Sequence, residues 1–269
     1  MDLKGKIPEV FNGDVTSVSD YKERISAIQE FCSENPTIPF HFYYRGDEFT
    51  SKTQCNLFRR GTIANEAQYF ANWKKEHPEI CEQYCDEFTQ LAYMQHYQND
   101  PKTRLLDFTE NPLIALRFAC GRENDNSRRK VTIYNTDCIE VNNENRTGIL
   151  QRYLRLVKSN EPLDDADDEY WAKDIFVKME KNFPRIAKQE GLFLLMGNFT
   201  TEDLLNPISD PPKYREKVCH ELSATIGRGA LYKGYVGVLS ISAAHVHQIR
   251  NELEKTLEYS IKYLMGKNI

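Results

Sequence analysis

Residues 95–119 bring together side chains that can bind or act on a polar ligand. The stretch reads QHYQNDPKTRLLDFTENPLIALRFA and contains Gln95, His96, Tyr97, Arg104 and Asp107. An imidazole and a carboxylate can transfer protons, whereas a guanidinium can bind a phosphate or a carboxylate. A structural alternative is that Arg104 and Asp107 only pair with each other to fix a corner of the chain. The residues themselves leave both interpretations open.

Two further segments carry candidate ligand-binding groups. Arg45 and Gly46 end an aromatic run at residues 40–45 that predicts a strand, and the glycine would let the backbone turn and a ligand approach closely. Gln189 and Glu190 immediately precede the apolar run 191–196, which predicts a buried strand. A carboxylate at the mouth of such a strand can act as a base or can simply keep the strand end soluble.

Hydrophobic spacing indicates the elements that position these residues. Residues 105–108 predict a strand, Thr109 is expected to cap the following helix, and Glu110 is expected in its first turn, so the helix N-terminus would face a bound anion. The remaining predicted elements are helices at 20–33, 63–75, 79–97, 148–158, 214–225 and 243–265, and strands at 130–135, 174–179 and 235–241. The predicted class is α+β, a mixed β-sheet core flanked by helices, with a helical lead-in at 1–38 and a single domain at 39–269.

Composition excludes several classes of protein. The 269 residues carry a net charge of -5, so no general basic field would attract DNA or a membrane. The seven scattered cysteines contain no CxxC pair, which favours free thiols and no metal site. No segment has the length and apolar character of a signal peptide or membrane span, so we expect a cytoplasmic protein without a membrane partner.

Several motifs together resemble the FRG domain family, named after a Phe-Arg-Gly motif. Its pattern is matched by Tyr44-Arg45-Gly46, Gln95-His96-Tyr97, the segment 103–109, Asn111-Pro112 and the segment 115–119. Arg185-Ile186, Gln189, Gly191 and Phe193 match a later motif, so that the resemblance extends over roughly residues 40–260. Tyr44 replaces the usual Phe, Phe108 replaces a Trp, and the linker 98–102 is longer by two residues than the family pattern and lacks its glycine.

The order of these residues is also similar to that in ADP-ribosyltransferases, a likeness of fold rather than of sequence. It implies that NAD is the substrate and that Arg45, Gly46, Tyr97, Arg104, Thr109 and Gln189 bind it. Asp107 or Glu190 would stabilise the charge that develops on the ribose, with His96 beside them. We therefore expect an ADP-ribosyltransferase-like enzyme acting on a protein or nucleic acid, as a bacterial toxin or phage-defence effector with a neutralising partner protein.

Two other functions remain open at this point. The same residues would suit a non-catalytic domain that binds a nucleotide or a nucleic-acid phosphate. A nuclease or metal hydrolase would need clustered carboxylates and histidines, which Asp107, Glu110 and His96 barely supply.

Overall fold

In the computed structural model, one β-sheet runs through the described part of the protein. The structure describes residues 10, 12–33, 41–51, 53, 55–60, 62, 65–98, 100–121, 127–136, 138–141, 175–179, 183–196 and 235–265. The predicted helices at 148–158 and 214–225 lie outside these ranges. Within them, the strands are β1 (Phe42–Glu48), β2 (Leu105–Thr109), β3 (Arg129–Asn135), β4 (Cys138–Val141), β5 (Ile175–Met179), β6 (Gly191–Leu195) and β7 (Tyr235–Ile241).

The seven strands form a mixed sheet in the order β4-β5-β6-β2-β1-β3-β7. Neighbouring strands in this order pair antiparallel, with one exception. The edge strand β4 pairs parallel to β5. β2 and β1 therefore lie at the centre of the sheet, although 56 residues separate them in the chain. The predicted α+β class with a mixed sheet is confirmed.

Helices pack against this sheet. They are α1 (Val18–Ser33), α2 (Asn56–Arg59), α3 (Glu66–Glu76), α4 (Pro78–Gln83), α5 (Glu87–Tyr97), α6 (Pro112–Ala119), α7 (Pro184–Lys188), α8 (Ala243–Glu254) and α9 (Ile261–Leu264). No helix in the described ranges combines the length and apolar character that crossing a bilayer requires. The predicted division into a lead-in and a domain remains a prediction, but Tyr21, Ile25 and Ile28 of α1 are buried in the same apolar cluster as β1 and β3.

Three apolar clusters pack around the sheet, one of them built on Tyr43, Leu106 and Phe108 of the central strands. The other two involve the helices. One packs residues of α3 and α5 against β5 and β6, with Leu105 of β2 among them. The other packs α1, α6 and α8 against β1, β3 and β7, with Tyr44 and Ala115 among its members. Because side chains alternate along a strand, Leu105, Asp107 and Thr109 lie on one face of β2. Asp107 is the ionisable side chain on that face of the strand, and it lies where β2 meets β1.

Several predicted boundaries were wrong. Residues 79–97 form two helices, because Asp86 caps α5 by accepting a hydrogen bond from the Thr89 amide. The C-terminal helix breaks after Glu254, and Ser260 caps α9 separately. These caps offer the backbone an alternative to a continuous helix that apolar spacing does not reveal.

The corner after β2 also differs from the prediction. Thr109 is the last residue of β2 and is not a helix cap, since Asn111 accepts hydrogen bonds from the amides of Leu113 and Ile114. Pro112 then occupies the first helical position, which suits its fixed φ and missing N–H. Glu110 precedes the helix and forms an ion pair with Lys178 at 2.8 Å. The Asn111 side chain therefore occupies the N-terminus of α6 that was expected to face a ligand.

Gly46 lies within β1, which continues to Glu48 and does not end at this residue. A Cβ atom at this position would overlap the main-chain atoms Ala115 O and Ala119 N of α6. The glycine is therefore required by the close approach of a strand and a helix backbone. This reason for a glycine, unlike a turn, leaves no mark in the neighbouring sequence.

Candidate functional site

A cavity of about 440 Å³ opens at the centre of the sheet. Its walls come from β1, β2, the C-terminal turn of α5 and one side of α6, and Arg185, Gln189 and Met265 contribute from the later chain. The volume lies within the range of small-molecule sites. Of the predicted site residues, those that line it are Arg45, Gly46, His96, Tyr97, Asp107, Thr109 and Gln189.

The cavity lies where the two central strands pair least. β1 forms seven residue pairs with β3, and β2 forms five with β6, but β1 and β2 share the single pair Tyr44–Thr109. Beyond that pair, the guanidinium of Arg45 donates from Nη1 to the main-chain oxygen of Asp107 at 2.6 Å. A side chain thus supplies a hydrogen bond between the strands, and the strands remain separated beside the cavity.

Arg45 is held rigidly in this position. Its Nε and Nη2 atoms donate to the two carboxylate oxygens of Asp47, at 2.6 and 3.0 Å. This bidentate pair neutralises the guanidinium within its own strand. Arg45 therefore supports the strand that carries Asp107, and much of its capacity to bind phosphate is already used.

Asp107 occupies the middle of β2 with hydrogen bonds to both carboxylate oxygens. Gln95 Nε2 donates to Oδ2 at 2.7 Å, and His96 Nδ1 lies 3.2 Å from Oδ1. Thr103 fixes the amide of Gln95 by donating to its Oε1 at 2.5 Å. The Asp107 side chain nevertheless keeps 42% of its surface accessible through the cavity. A carboxylate oxygen has two lone pairs, so each retains the capacity to accept from a ligand.

Asp107 is ionised at neutral pH. Its depth in the protein raises the carboxyl pKa, but the hydrogen bond and charge of His96, the charge of Arg45 and the hydrogen bond from Gln95 together outweigh this effect. The net result is a pKa below the ordinary value of 3.8. The cavity therefore contains a positioned negative charge.

The two ring nitrogens of His96 have different surroundings within the described part of the chain. Because the Asp107 carboxylate accepts a hydrogen bond, the adjacent Nδ1 carries a proton, which leaves a lone pair on Nε2 when the ring is neutral. Nε2 is buried and has no hydrogen-bond partner among the described residues. A carboxylate that fixes the imidazole in this tautomer is the arrangement that activates a histidine as a general base. The imidazole can therefore accept a proton from a ligand once the side chains that cover Nε2 move aside.

Comparison with known proteins connects this site to a family. Residues 40–128 match the FRG domain. This match supports the predicted resemblance over that stretch of the chain. A search of curated proteins found no match to the chain, and neither did a search of solved structures. The likeness to ADP-ribosyltransferases therefore remains an interpretation of residue order.

Tyr44, Arg45 and Gly46, which match the FRG motif, each contribute a contact at the centre of the sheet. Tyr44 is buried and accepts a hydrogen bond from Gln29 at 3.0 Å, and burial raises the pKa of its phenol to about 12. Arg45 connects β1 to the main chain of Asp107. Gly46 allows α6 to contact β1. The motif thus builds the wall of the cavity on which Asp107 depends.

Arg104 of the matched stretch does not line the cavity. Its guanidinium is buried against Glu66 of α3, with Nε 3.0 Å from both carboxylate oxygens, and Nη1 donates to the Met196 main-chain oxygen at 3.3 Å. The expected pairing with Asp107 and the expected contact with a ligand are therefore both replaced by a pair with Glu66. Apolar spacing could not reveal this partner, because Glu66 comes from a helix 38 residues earlier in the chain.

Glu190 also lies outside the residues that line the cavity. It adopts a left-handed φ of 45° in the turn before β6, and its side chain is exposed and accepts from Asn111 Nδ2 at 2.8 Å. Its neighbour Gln189 lines the cavity and donates from Nε2 to the Leu264 main-chain oxygen at 2.9 Å. Thr109 donates to the Gln189 main-chain oxygen at 2.7 Å, which joins the corner after β2 to the turn before β6. Of the two candidate carboxylates, the cavity contains Asp107.

The later chain contributes Arg185, which the prediction of site residues omitted. Arg185 Nη1 donates to the main-chain oxygen of His96 at 2.9 Å, and Nη2 contacts Met265 Sδ at 3.1 Å. It lies outside the matched residues 40–128, as does Gln189. Its place in the Arg-Ile motif beside Gln189 was the available sequence signal. The cavity is therefore completed by residues beyond the FRG domain match.

Proposed function

We propose that the cavity binds NAD and that Asp107 and His96 catalyse transfer of ADP-ribose to a macromolecule. The observation that carries the proposal is the ionised Asp107 carboxylate, accessible through the cavity and held by His96 and Gln95. Loss of nicotinamide leaves positive charge on the ribose, and a fixed carboxylate stabilises that charge without reorganising. Such an activity would suit a bacterial toxin or a phage-defence effector.

Asp107 and His96 have different roles in the proposed reaction. The bond between the ribose C1′ and the nicotinamide nitrogen breaks, and its electron pair leaves with neutral nicotinamide. A nucleophile of the acceptor then bonds to C1′, and its proton passes to His96 Nε2 after the side chains that cover this atom move aside. Asp107 supports both steps, because it faces the developing cation and also stabilises the imidazolium that forms.

Tyr97 would provide the surface on which a ring of NAD stacks. Its side chain is 38% exposed, and its ring packs against Tyr93 with centroids 4.5 Å apart. Aromatic faces at a cavity bind planar bases through stacking. Arg45, in this proposal, positions Asp107 and does not bind the substrate directly.

The test is calorimetric titration with NAD followed by measurement of released nicotinamide. Asp107→Asn should lower turnover by roughly a hundredfold or more, because one preorganised electrostatic group typically contributes that much. Its affinity for NAD should change much less. Asp100→Asn serves as the matched control, since Asp100 is an exposed aspartate paired with Arg60 on the surface.

Glu190→Gln separates the two candidate carboxylates. We expect its turnover to remain close to that of the wild type, since Glu190 lies outside the cavity lining and bonds to Asn111. A loss confined to Glu190→Gln would transfer the catalytic role to that residue. Unchanged turnover in both variants, each shown to be folded, would contradict the mechanism.

A non-catalytic nucleotide-binding domain is the second candidate function. It is favoured by the hydrogen bonds to both Asp107 oxygens, which also suit a carboxylate that fixes the cavity wall. This function predicts saturable binding of NAD or another nucleotide with no nicotinamide released at any enzyme concentration. Release of nicotinamide therefore distinguishes the two candidate functions.

A further inference from the structure

Three arginines line the cavity, and their surroundings differ. Arg45 is neutralised by Asp47. Arg59 is exposed at the edge of the cavity and donates to the side-chain oxygen of Asn56. Arg185 is half-buried and forms no ion pair within the described ranges of the chain. Within the described ranges neither Arg59 nor Arg185 forms an ion pair, but Arg59 is exposed to water. Arg185 is therefore the partly buried arginine of the cavity for which those ranges show no counter-charge.

Among the described residues, Arg185 makes its polar contacts with neutral groups. They are the His96 main-chain oxygen and the thioether of Met265, and the buried Nε atom has no hydrogen-bond partner among the described residues. A guanidinium removed from water without an anion is costly, and an unpaired buried N–H adds to that cost. An anion bound at the accessible part of the guanidinium would supply the missing counter-charge.

We infer that Arg185 binds the pyrophosphate of a dinucleotide in this cavity. The inference rests on the proposed function for the identity of the ligand, but its physical basis is the unneutralised guanidinium. Arg185 contacts the main chain of His96 itself, so an anion bound there lies beside the catalytic imidazole and the ring of Tyr97. A planar guanidinium can bind a phosphate through two parallel hydrogen bonds, which fixes orientation as well as charge.

This inference replaces Arg45 as the phosphate-binding residue. Arg45 and Arg185 approach the cavity from different walls, β1 and α7, and Asp47 occupies the bidentate face of Arg45. The pyrophosphate would therefore lie toward the side formed by α7 and Met265, and the nicotinamide ribose toward Asp107. Gln189 stabilises that side through its hydrogen bond to the Leu264 main-chain oxygen.

The experiment compares Arg185→Met, Arg185→Lys and the control Arg60→Met. Arg60 is a surface arginine that pairs with Asp100 and does not line the cavity. Each protein is titrated with ADP-ribose, with adenosine and with inorganic pyrophosphate, after its folding is checked by thermal unfolding. Adenosine has no phosphate, so it reports any general damage to the cavity.

Arg185→Met should weaken ADP-ribose binding roughly tenfold to a hundredfold, the effect of losing a charge-assisted hydrogen bond. Adenosine binding should stay within a factor of two or so, and Arg185→Lys should recover part of the loss because it keeps the charge without the planar fork. Arg60→Met should bind all three probes like the wild type. A loss of adenosine and ADP-ribose affinity by equal factors would overturn the inference, since it would indicate a structural role only.

The remaining outcomes separate this inference from the proposed function. Equal ADP-ribose binding by the wild type and Arg185→Met overturns the role of Arg185 and leaves the function intact. A third outcome is that the wild type binds pyrophosphate but neither ADP-ribose nor NAD, and that Arg185→Met abolishes pyrophosphate binding. This outcome would support an anion site at Arg185 and overturn the proposed transfer of ADP-ribose. No binding of any probe by the folded wild type overturns both.

Discussion

Arg104 and Asp107 lie three residues apart in one motif, yet their surroundings are opposite. The side chains of Arg104 and its partner Glu66 are 2% and 1% exposed, whereas Asp107 keeps 42% of its side chain accessible beside His96. The first pair lies between α3 and the end of β6, and the second faces the cavity between β1 and β2. The Arg104–Glu66 pair therefore stabilises the packing of the protein, whereas the Asp107 carboxylate is available to a ligand.

The buried pair gives the largest expected effect. Arg104→Met should reduce the free energy of unfolding by about 3–5 kcal/mol, because it leaves Glu66 buried without a counter-charge. The double variant Arg104→Met with Glu66→Leu should recover most of that loss, since two apolar side chains need no counter-charge. Urea denaturation monitored by circular dichroism provides the measurement. A loss below about 1 kcal/mol in the single variant would show that the pair is not sealed from water.

Gly46→Ala tests the contact that supports the cavity wall. It should reduce the free energy of unfolding by about 3 kcal/mol, at the upper end of overpacking effects, because main-chain atoms of α6 cannot rotate away from the new methyl group. Gly13→Ala provides a contrast, since Gly13 has a positive φ but open space around its Cβ position. A loss for Gly46→Ala no larger than that for Gly13→Ala would contradict the strand–helix contact, since Gly46 itself has no positive φ.

Asp107→Asn should reduce the free energy of unfolding by about 1 kcal/mol at neutral pH. The reduction is small because the carboxylate is partly accessible and water screens its interactions with neighbouring groups. Burial raises the carboxyl pKa, but the surrounding hydrogen bonds and charges lower it below its ordinary value of 3.8. A lowered pKa in the folded state stabilises the protein above the unfolded pKa, and this stabilisation disappears as the pH falls through the folded pKa.

The difference in unfolding free energy between the wild type and Asp107→Asn should therefore be constant above about pH 5 and should narrow below it. Equilibrium unfolding in urea across this range measures the difference directly. The control Asp100→Asn, an exposed surface aspartate, should show little difference at any pH. A difference that widened on acidification would mean that the Asp107 pKa is raised.

Tyr97→Ala should give the smallest change in stability, about 0.5–1 kcal/mol, because its ring is partly exposed and mainly contacts Tyr93. The same change should weaken ADP-ribose binding by roughly tenfold through lost stacking. Thermal unfolding and calorimetric titration measure the two quantities. A large loss of stability without any change in affinity would show that Tyr97 serves packing, as Arg104 and Glu66 do, and does not bind the ligand.

Much of the fold was predictable because its signals are local. The strands at 105–109, 129–135, 191–195 and 235–241 follow from short apolar runs, and the helix at 18–33 follows from its apolar spacing. The helix breaks near residues 84–86 and 255–260 were missed, since each depends on caps that compete with a continuous helix. The match of residues 40–128 to the FRG domain confirms the family resemblance for that part of the chain.

The candidate site was predictable only in part. The sequence by itself determined that Arg45 and Asp107 lie on strands, that His96 lies at the end of a helix and that Gln189 precedes a strand, because these signals are local. That these four residues line one cavity is a result of the tertiary structure. Only the tertiary structure decided that Arg104 pairs with Glu66, that Asp47 neutralises Arg45, and that Arg185 lines the cavity with no ion pair to any residue that the structure describes. The physical reason is that an ionic group acquires its role from its partner and its access to water, and packing sets both between segments distant in the chain.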